Sequence, residues 1–218
     1  MSDGAAFGEP KDDDGHEAAA AMEVCRAAHQ RFIASVHDLD DETARRPSLL
    51  PGWSIGHVLT HLARNADGHA RRLEGALRGE DIARYPGGMS QRERDIEDGA
   101  SRPARDLAED VASSAQRLED VWVRCQAAGW PGRHLLGTDR WPTTSSPLRR
   151  LREVEVHHVD LGLGYRPADW PEAYVVWELP LVLAELPERL RRPEDTHQLL
   201  AWLIGRAETP EGLELDPW

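Results

Sequence analysis

Two segments of this chain carry side chains that can bind a metal ion. Pro51-Gly-Trp-Ser-Ile-Gly-His57-Val-Leu-Thr-His61-Leu-Ala-Arg-Asn65 holds two histidines four residues apart. Arg152-Glu153-Val-Glu155-Val-His157-His158-Val-Asp160 holds a carboxylate and an imidazole, Glu153 and His157, at the same spacing. Residues four apart on a helix share a face, so each segment can direct ligands to one side. His61 together with Glu153 and His157 makes a two-histidine, one-carboxylate set, and three protein ligands with a position left open is the pattern of a catalytic zinc site. The bland alternative is a solvated helix face, with Arg149, Glu153, His157 and Asp160 in a charged row beside Leu151, Val154, Val159 and Leu161. Spacing by itself leaves the two readings level. The run Glu155 to Asp160 is too polar for a pure core helix and too rich in histidine for an ordinary surface.

The elements that must position these residues follow from apolar periodicity. A helix is expected from Glu17 to Asp38, with Ala20, Val24, Ala27, Ala28, Phe32 and Val36 at helical spacing. Pro47 and Pro51 break the connector that follows, and Ser54 is a suitable N-cap for a second helix running to about Arg78. Its apolar stripe is Ile55, Val58, Leu59, Leu62, Ala66, Leu73 and Leu77. Gly79 and the Tyr85-Pro-Gly-Gly88 turn precede a short polar helix over Ser90 to Asp98. Pro103 opens a third long helix to Ala128, with Leu107, Val111, Leu118, Val121 and Cys125 inward. Gly129 to Pro147 reads as a loop, and the fourth main helix covers Leu148 to Leu163. Four amphipathic helices with unequal loops predict a mainly α protein built on a four-helix bundle. Beyond the linker Arg166–Pro171, helical patterns over Glu172–Leu190 and His197–Ile204 make a small C-terminal α or α+β domain. The expected division is a disordered acidic tail over 1–16, the bundle over 17–165 and the small domain over 166–218.

Composition narrows the partners. The chain has 218 residues, with 26 Lys and Arg against 39 Asp and Glu, a formal charge of −13. Such acidity argues against nucleic acid and anionic membrane surfaces. No apolar run approaches the ~20 residues of a membrane span, and the N-terminus lacks the basic and apolar regions of a signal peptide. Cys25 and Cys125 are the only cysteines and sit in no metal-type spacing, so each is expected to pack as a small apolar residue. The expected setting is cytoplasmic.

The segment Leu50-Pro-Gly-Trp-Ser-Ile-Gly-His-Val-Leu-Thr-His-Leu-Ala-Arg-Asn65 resembles the N-terminal signature of the mycothiol-dependent maleylpyruvate isomerases, a family of the DinB-like metal-dependent bundle superfamily. Arg152-Glu-Val-Glu-Val-His-His-Val-Asp-Leu-Gly162 is similar to their second signature. Leu199-Leu-Ala-Trp-Leu-Ile-Gly-Arg206 and the final Asp-Pro-Trp218 resemble their C-terminal domain. The resemblance implies a DinB-like bundle in which His61, Glu153 and His157 hold zinc or another divalent metal, with His57 and His158 outside the ligand set. It also implies two arginines that hold mycothiol and an anionic substrate. One matches Arg206. The other falls in Ser90–Glu97, where Arg94 is the first choice and Arg92 the second. In one respect the chain departs from the family: Leu190 to His197 crosses in a few residues a region where the family carries strands, so that small sheet is expected to be reduced or missing.

The chemistry implied by the resemblance is a cis–trans isomerisation. The sulfur of mycothiol adds to the conjugated double bond of maleylpyruvate, the former double bond rotates, and sulfur leaves to give fumarylpyruvate. No protein nucleophile takes part. The partners are thus a low-molecular-weight thiol and a small anionic electrophile. Two alternatives stand beside this one: a mycothiol S-transferase that releases the conjugate of a different electrophile, and a non-catalytic metal- or ligand-binding bundle.

Overall fold

A computed structural model describes residues 13–131, 142–190, 193–203 and 205–207. The acidic segment 1–12, most of the Gly129–Pro147 loop and the final Asp216-Pro-Trp218 lie outside the described residues. Eight α-helices follow in order: α1 (Asp13–Val36), α2 (Asp41–Arg45), α3 (Ile55–Leu77), α4 (Gly88–Gly99), α5 (Ala104–Ala127), α6 (Ser146–Asp160), α7 (Glu172–Arg189) and α8 (Pro193–Leu203). Among the described residues there is no strand; Pro47 and Ser54 form an isolated bridge. No described helix is long and apolar enough to cross a membrane. The chain divides after Trp170 into two compact units.

The first unit is the expected bundle. α3 packs on α5 and α6, and α1 packs on the same two, which closes a ring of four helices. The inward stripes of α3 and α5 are those the periodicity predicts: Val58, Leu59, Leu62, Ala66 and Leu73 from one, Leu107, Val111, Leu118, Val121 and Cys125 from the other. α1 differs. It begins at Asp13 rather than Glu17, and its buried stripe is Ala18, Ala21, Met22, Cys25, Ala28, Phe32 and Val36, which leaves Ala20 and Ala27 exposed. The helix is turned because Cys25 and His29, one turn apart, both go inward, and His29 finds polar partners there. α6 starts at Ser146, two residues before the expected Leu148, and Pro147 fits its first turn.

Local chemistry fixes where α3 starts. The Ser54 side chain accepts the His57 backbone N–H, and the His57 ring accepts the Ser54 backbone N–H, a reciprocal cap with histidine in the place usually held by Glu or Gln. The connector before it gains a helical turn, α2, capped by Asp40. It is tied to the end of α6 by a bond from Leu49 N–H to Asp160 C=O, 2.8 Å. The Leu50–Trp53 turn is thereby held between the two helices that carry the ligand candidates.

In the second unit α7 ends at Arg189 and α8 begins at Pro193, which leaves no room between them for a sheet. Gly205, with φ at +70°, ends α8, and the Arg206 N–H returns to the carbonyl of Ala201 at 2.7 Å.

Gly56 allows the C-terminal end of α4 to meet α3. A Cβ there would lie 2.1 Å from the Ala100 carbonyl oxygen, a backbone atom that cannot step aside. Gly56→Ala should therefore cost about 1–3 kcal/mol through overpacking, read as a lower urea midpoint at unchanged m-value. An unaltered midpoint would show that α4 does not rest on this contact.

Candidate metal centre

His61 lies in the second turn of α3, where Leu62 and Asn65 are also buried, and it is 4% exposed. Glu153 and His157 lie one turn apart on α6, with side chains 28% and 17% exposed. Packing of α6 against α3 brings the three together. His61 Nε2 is 2.9 Å from Glu153 Oε2, and His157 Nε2 is 3.6 Å from the same oxygen. The two imidazoles meet edge to face with centroids 4.6 Å apart. One ligand atom from each residue lies within 4.8 Å of the others. Glu153 and His157 thus leave one side of the cluster partly exposed.

Surrounding groups set orientation and charge. Asp160 Oδ2 is 2.8 Å from His157 Nδ1, which leaves Nε2 facing the cluster. Burial works against a charged His157, but the hydrogen bonds to Asp160 and Glu153 outweigh it and raise its pKa. For Glu153 burial pushes the pKa up, and the bonds from His157 and His61 overcome that, holding the carboxyl well below its usual range. Burial lowers His61 to about 4 against the pull of Glu153, so it is neutral at physiological pH. Arg92 Nη2 lies 2.8 Å from His61 Nδ1. A guanidinium can only donate, so Nδ1 is the acceptor and the neutral ring carries its proton on Nε2, directed at Glu153.

Of the two arginines offered by α4, the fold turns Arg92 inward and Arg94 outward. Two positions on a helix differ by roughly 200° of rotation. Ile96 is the buried residue of α4, and Arg92, one turn before it, shares its face. Arg94 is exposed and donates to Gln91 Oε1 at 3.0 Å. The Arg92 guanidinium also lies over the Tyr85 ring, 5.9 Å from its centroid. Arg206 belongs to the second unit, where it is exposed just beyond α8.

Neither remaining histidine of the two motifs joins the cluster. His57 spends Nδ1 on the helix cap, and its Nε2 is 3.3 Å from Glu97. His158 is buried, edge-on to Phe32 at 5.1 Å and stacked on Tyr165 at 3.8 Å, and burial lowers its pKa to about 4. Three contributors escaped the sequence reading. Trp53 walls the cluster, with its ring 5.6 Å from His61 and 6.1 Å from His57. Tyr85 backs Arg92. Arg150 is buried in the bundle, and its spacing to Val154 and His158, also buried on α6, was the available signal.

Donor chemistry supports a divalent metal here. Two imidazole nitrogens and an ionised carboxylate suit zinc, the carboxylate supplies anionic charge, and Asp160 on the far nitrogen of His157 is the usual outer support of a ligating histidine. The cysteines take no part: Cys25 and Cys125 are buried free thiols whose pKa values are raised, Cys125 to about 11, with burial as the main cause.

Comparison with known proteins identifies the fold and the family. Two crystal structures, of the mycothiol-dependent maleylpyruvate isomerase and of a histidine-to-alanine mutant of it, superpose on the chain with a TM-score of 0.67 at 24% identity. The match covers 73% of this chain and 66% of that one, just under two thirds of its length, and it establishes a shared fold. No sequence among curated proteins matches. The family model of the mycothiol maleylpyruvate isomerase N-terminal domain matches residues 25–162, a stretch that contains α3, α4 and α6 and hence His61, Arg92, Glu153 and His157. The chain belongs to the mycothiol maleylpyruvate isomerase N-terminal domain family.

Proposed function

We propose that this protein is a metal- and mycothiol-dependent cis–trans isomerase of the maleylpyruvate isomerase type. The observation that carries the reading is the convergence of His61, Glu153 and His157 at a partly open rim, inside the stretch matched by the family. His61, Glu153 and His157 would hold the metal, zinc being the best fit to the donors. A zinc ion there supplies a low pKa to a thiol that binds it, so that the thiolate is available at neutral pH.

The chain's own residues orient and bind. Asp160 keeps His157 turned so that Nε2 faces inward. Arg92 bonds His61 Nδ1 only while the ring proton sits on Nε2. Were Nε2 to serve as a metal ligand, the neutral ring would carry its proton on Nδ1, and a guanidinium, which can only donate, would lose that partner. Arg92 would then be available for the carboxylate of an anionic substrate, a task its planar fork suits. Arg94 and Arg206 remain proposed contacts to thiol or substrate. Trp53 offers an apolar wall beside the cluster. An external thiol is favoured over a protein one because both cysteines are buried with raised pKa values. A cytoplasmic setting, where thiols stay reduced, agrees with two free cysteines.

One observation favours a second reading. The direct succession of α7 and α8 departs from the strand-bearing pattern expected of the family's C-terminal region, and an altered C-terminal unit in a chain that keeps His61, Glu153 and His157 suits a mycothiol S-transferase acting on another electrophile.

Three outcomes are expected. The purified protein should carry about one divalent ion per chain by plasma mass spectrometry, and His61→Ala or Glu153→Ala should each lose it, since two donors are too few for tight binding. Full occupancy in both variants would remove the site. Next, maleylpyruvate should convert to fumarylpyruvate without net consumption of mycothiol. Arg92→Ala should slow this about 10²-fold or more, the scale set by misplacing a bound substrate, and Arg94→Ala less. A stable adduct formed in step with thiol loss would instead identify a transferase. Finally, a disulfide reagent at pH 8 should modify the two cysteines only on unfolding, because a pKa two units above normal cuts the thiolate about a hundredfold. Fast labelling of the native protein would reopen the case for a protein thiol.

A further inference from the structure

Arg150 stands one turn before Glu153 on α6 and is 1% exposed. Its Nη1 donates to the carbonyl of Leu62 at 3.0 Å and to Asn65 Oδ1 at 2.9 Å, both on α3. Leu62 is the neighbour of His61 in sequence, and Asn65 lies one turn beyond it. Arg150 Nε donates to His29 Nε2 on α1 at 3.1 Å. His29 in turn places Nδ1 2.6 Å from Glu119 Oε1 on α5, with its ring stacked parallel to Trp122. Burial lowers His29 to about 4, so the ring is neutral and Nε2 is free to accept. One guanidinium therefore touches α3 and α1 directly and reaches α5 through a histidine, although each of its three bonds is to a neutral acceptor.

A buried cation held by neutral acceptors is an expensive way to fill a core, since an apolar side chain of similar volume often serves stability as well or better. What an apolar side chain does not supply is direction. The fork of Arg150 fixes the axial register of α6 against α3 about one turn from Glu153 and beside His61, with His157 one turn further along α6. Ligands must be held to within roughly 0.5 Å for a metal site to work. We infer that Arg150 is the positioning residue of the metal centre: its bonds to Leu62 C=O and Asn65 set the distance from His61 to Glu153 and His157. This rests on the metal reading given above.

The test uses the full chain, metal-free and titrated with Co²⁺ against a chromophoric chelator, with the visible ligand-field spectrum recorded at saturation. Arg150→Met keeps the aliphatic bulk and removes the three bonds. Its helical circular dichroism should be native, its Co²⁺ affinity should fall about 10–100-fold, the range for losing an outer support of a metal ligand, and its ligand-field bands should shift. Arg150→Lys should not restore either property, because a single ammonium cannot span the same acceptors. Should Arg150→Met fail to fold, Asn65→Ala, which removes one acceptor and leaves the rest of the network, should give the same spectral shift with a smaller loss of affinity. Wild-type affinity and spectrum in the folded variants would overturn the positioning role while leaving the metal site standing. Failure of the wild-type protein itself to take up Co²⁺ would overturn the metal reading and this inference with it.

Discussion

The register of α6 against α3 is the constraint on which this molecule depends. His61 comes from one helix and Glu153 with His157 from the other, so the site exists only in the packed bundle. A rise of 1.5 Å per residue means that a slip of even one position would part atoms that now lie within 4.8 Å of one another. Apolar packing alone resists such sliding poorly, because Leu and Val side chains tolerate small displacements. Directional bonds do better. Arg150 grips the α3 backbone beside His61, and the Leu49 N–H to Asp160 C=O bond fastens the loop before α3 to the last turn of α6. The Ser54–His57 cap then sets where α3 begins.

The bundle carries unusual polar weight for its size. Besides Arg150 and His29, Glu155 is wholly buried on α6, where Arg31 and the Tyr165 hydroxyl donate to its two oxygens and the Trp170 indole donates to its backbone carbonyl. That arrangement anchors the chain as it leaves α6 and gives His158 the Tyr165 ring to stack on. Each buried charge costs solvation and is compensated only by bonds of good geometry. The core accordingly specifies one packing of its helices rather than merely a dry interior, and a site assembled from two helices requires that.

Electrostatics at the rim follow from the same packing. Glu153 stays ionised because two imidazoles face it, and His61 stays neutral because it is buried. Arg92 completes the circle by occupying the second nitrogen of His61. The guanidinium is half-buried, backed by the face of Tyr85, and adjacent to the open rim. An arginine so placed has a neutral imidazole nitrogen as its partner, which puts a positive charge directly beside the His61, Glu153 and His157 cluster.

Much of this was legible in the sequence. Helix limits for α3, α4, α5 and α7 follow from periodicity, caps and glycines, since those signals are local and act within one or two turns. Glu153 and His157 were readable as a pair for the same reason, His61 stood beside them as a third candidate ligand by residue type, and family resemblance favoured the metal reading that spacing left level with a solvated face. Orientation was another matter. α1 has alanines on most faces, so its apolar pattern did not say which side turns inward, and the polar partners of His29 on α5 and α6 decided it. Arg92 and Arg94 are equally good arginines in a polar helix, and only the packing of Ile96 into the bundle turns Arg92 toward His61 and Arg94 outward. Arg150 carried no signal of its own in the sequence beyond its helical spacing to Val154 and His158. Its role depends on a carbonyl 88 residues away in sequence, a relation that no local pattern encodes and that exists only once the helices have packed.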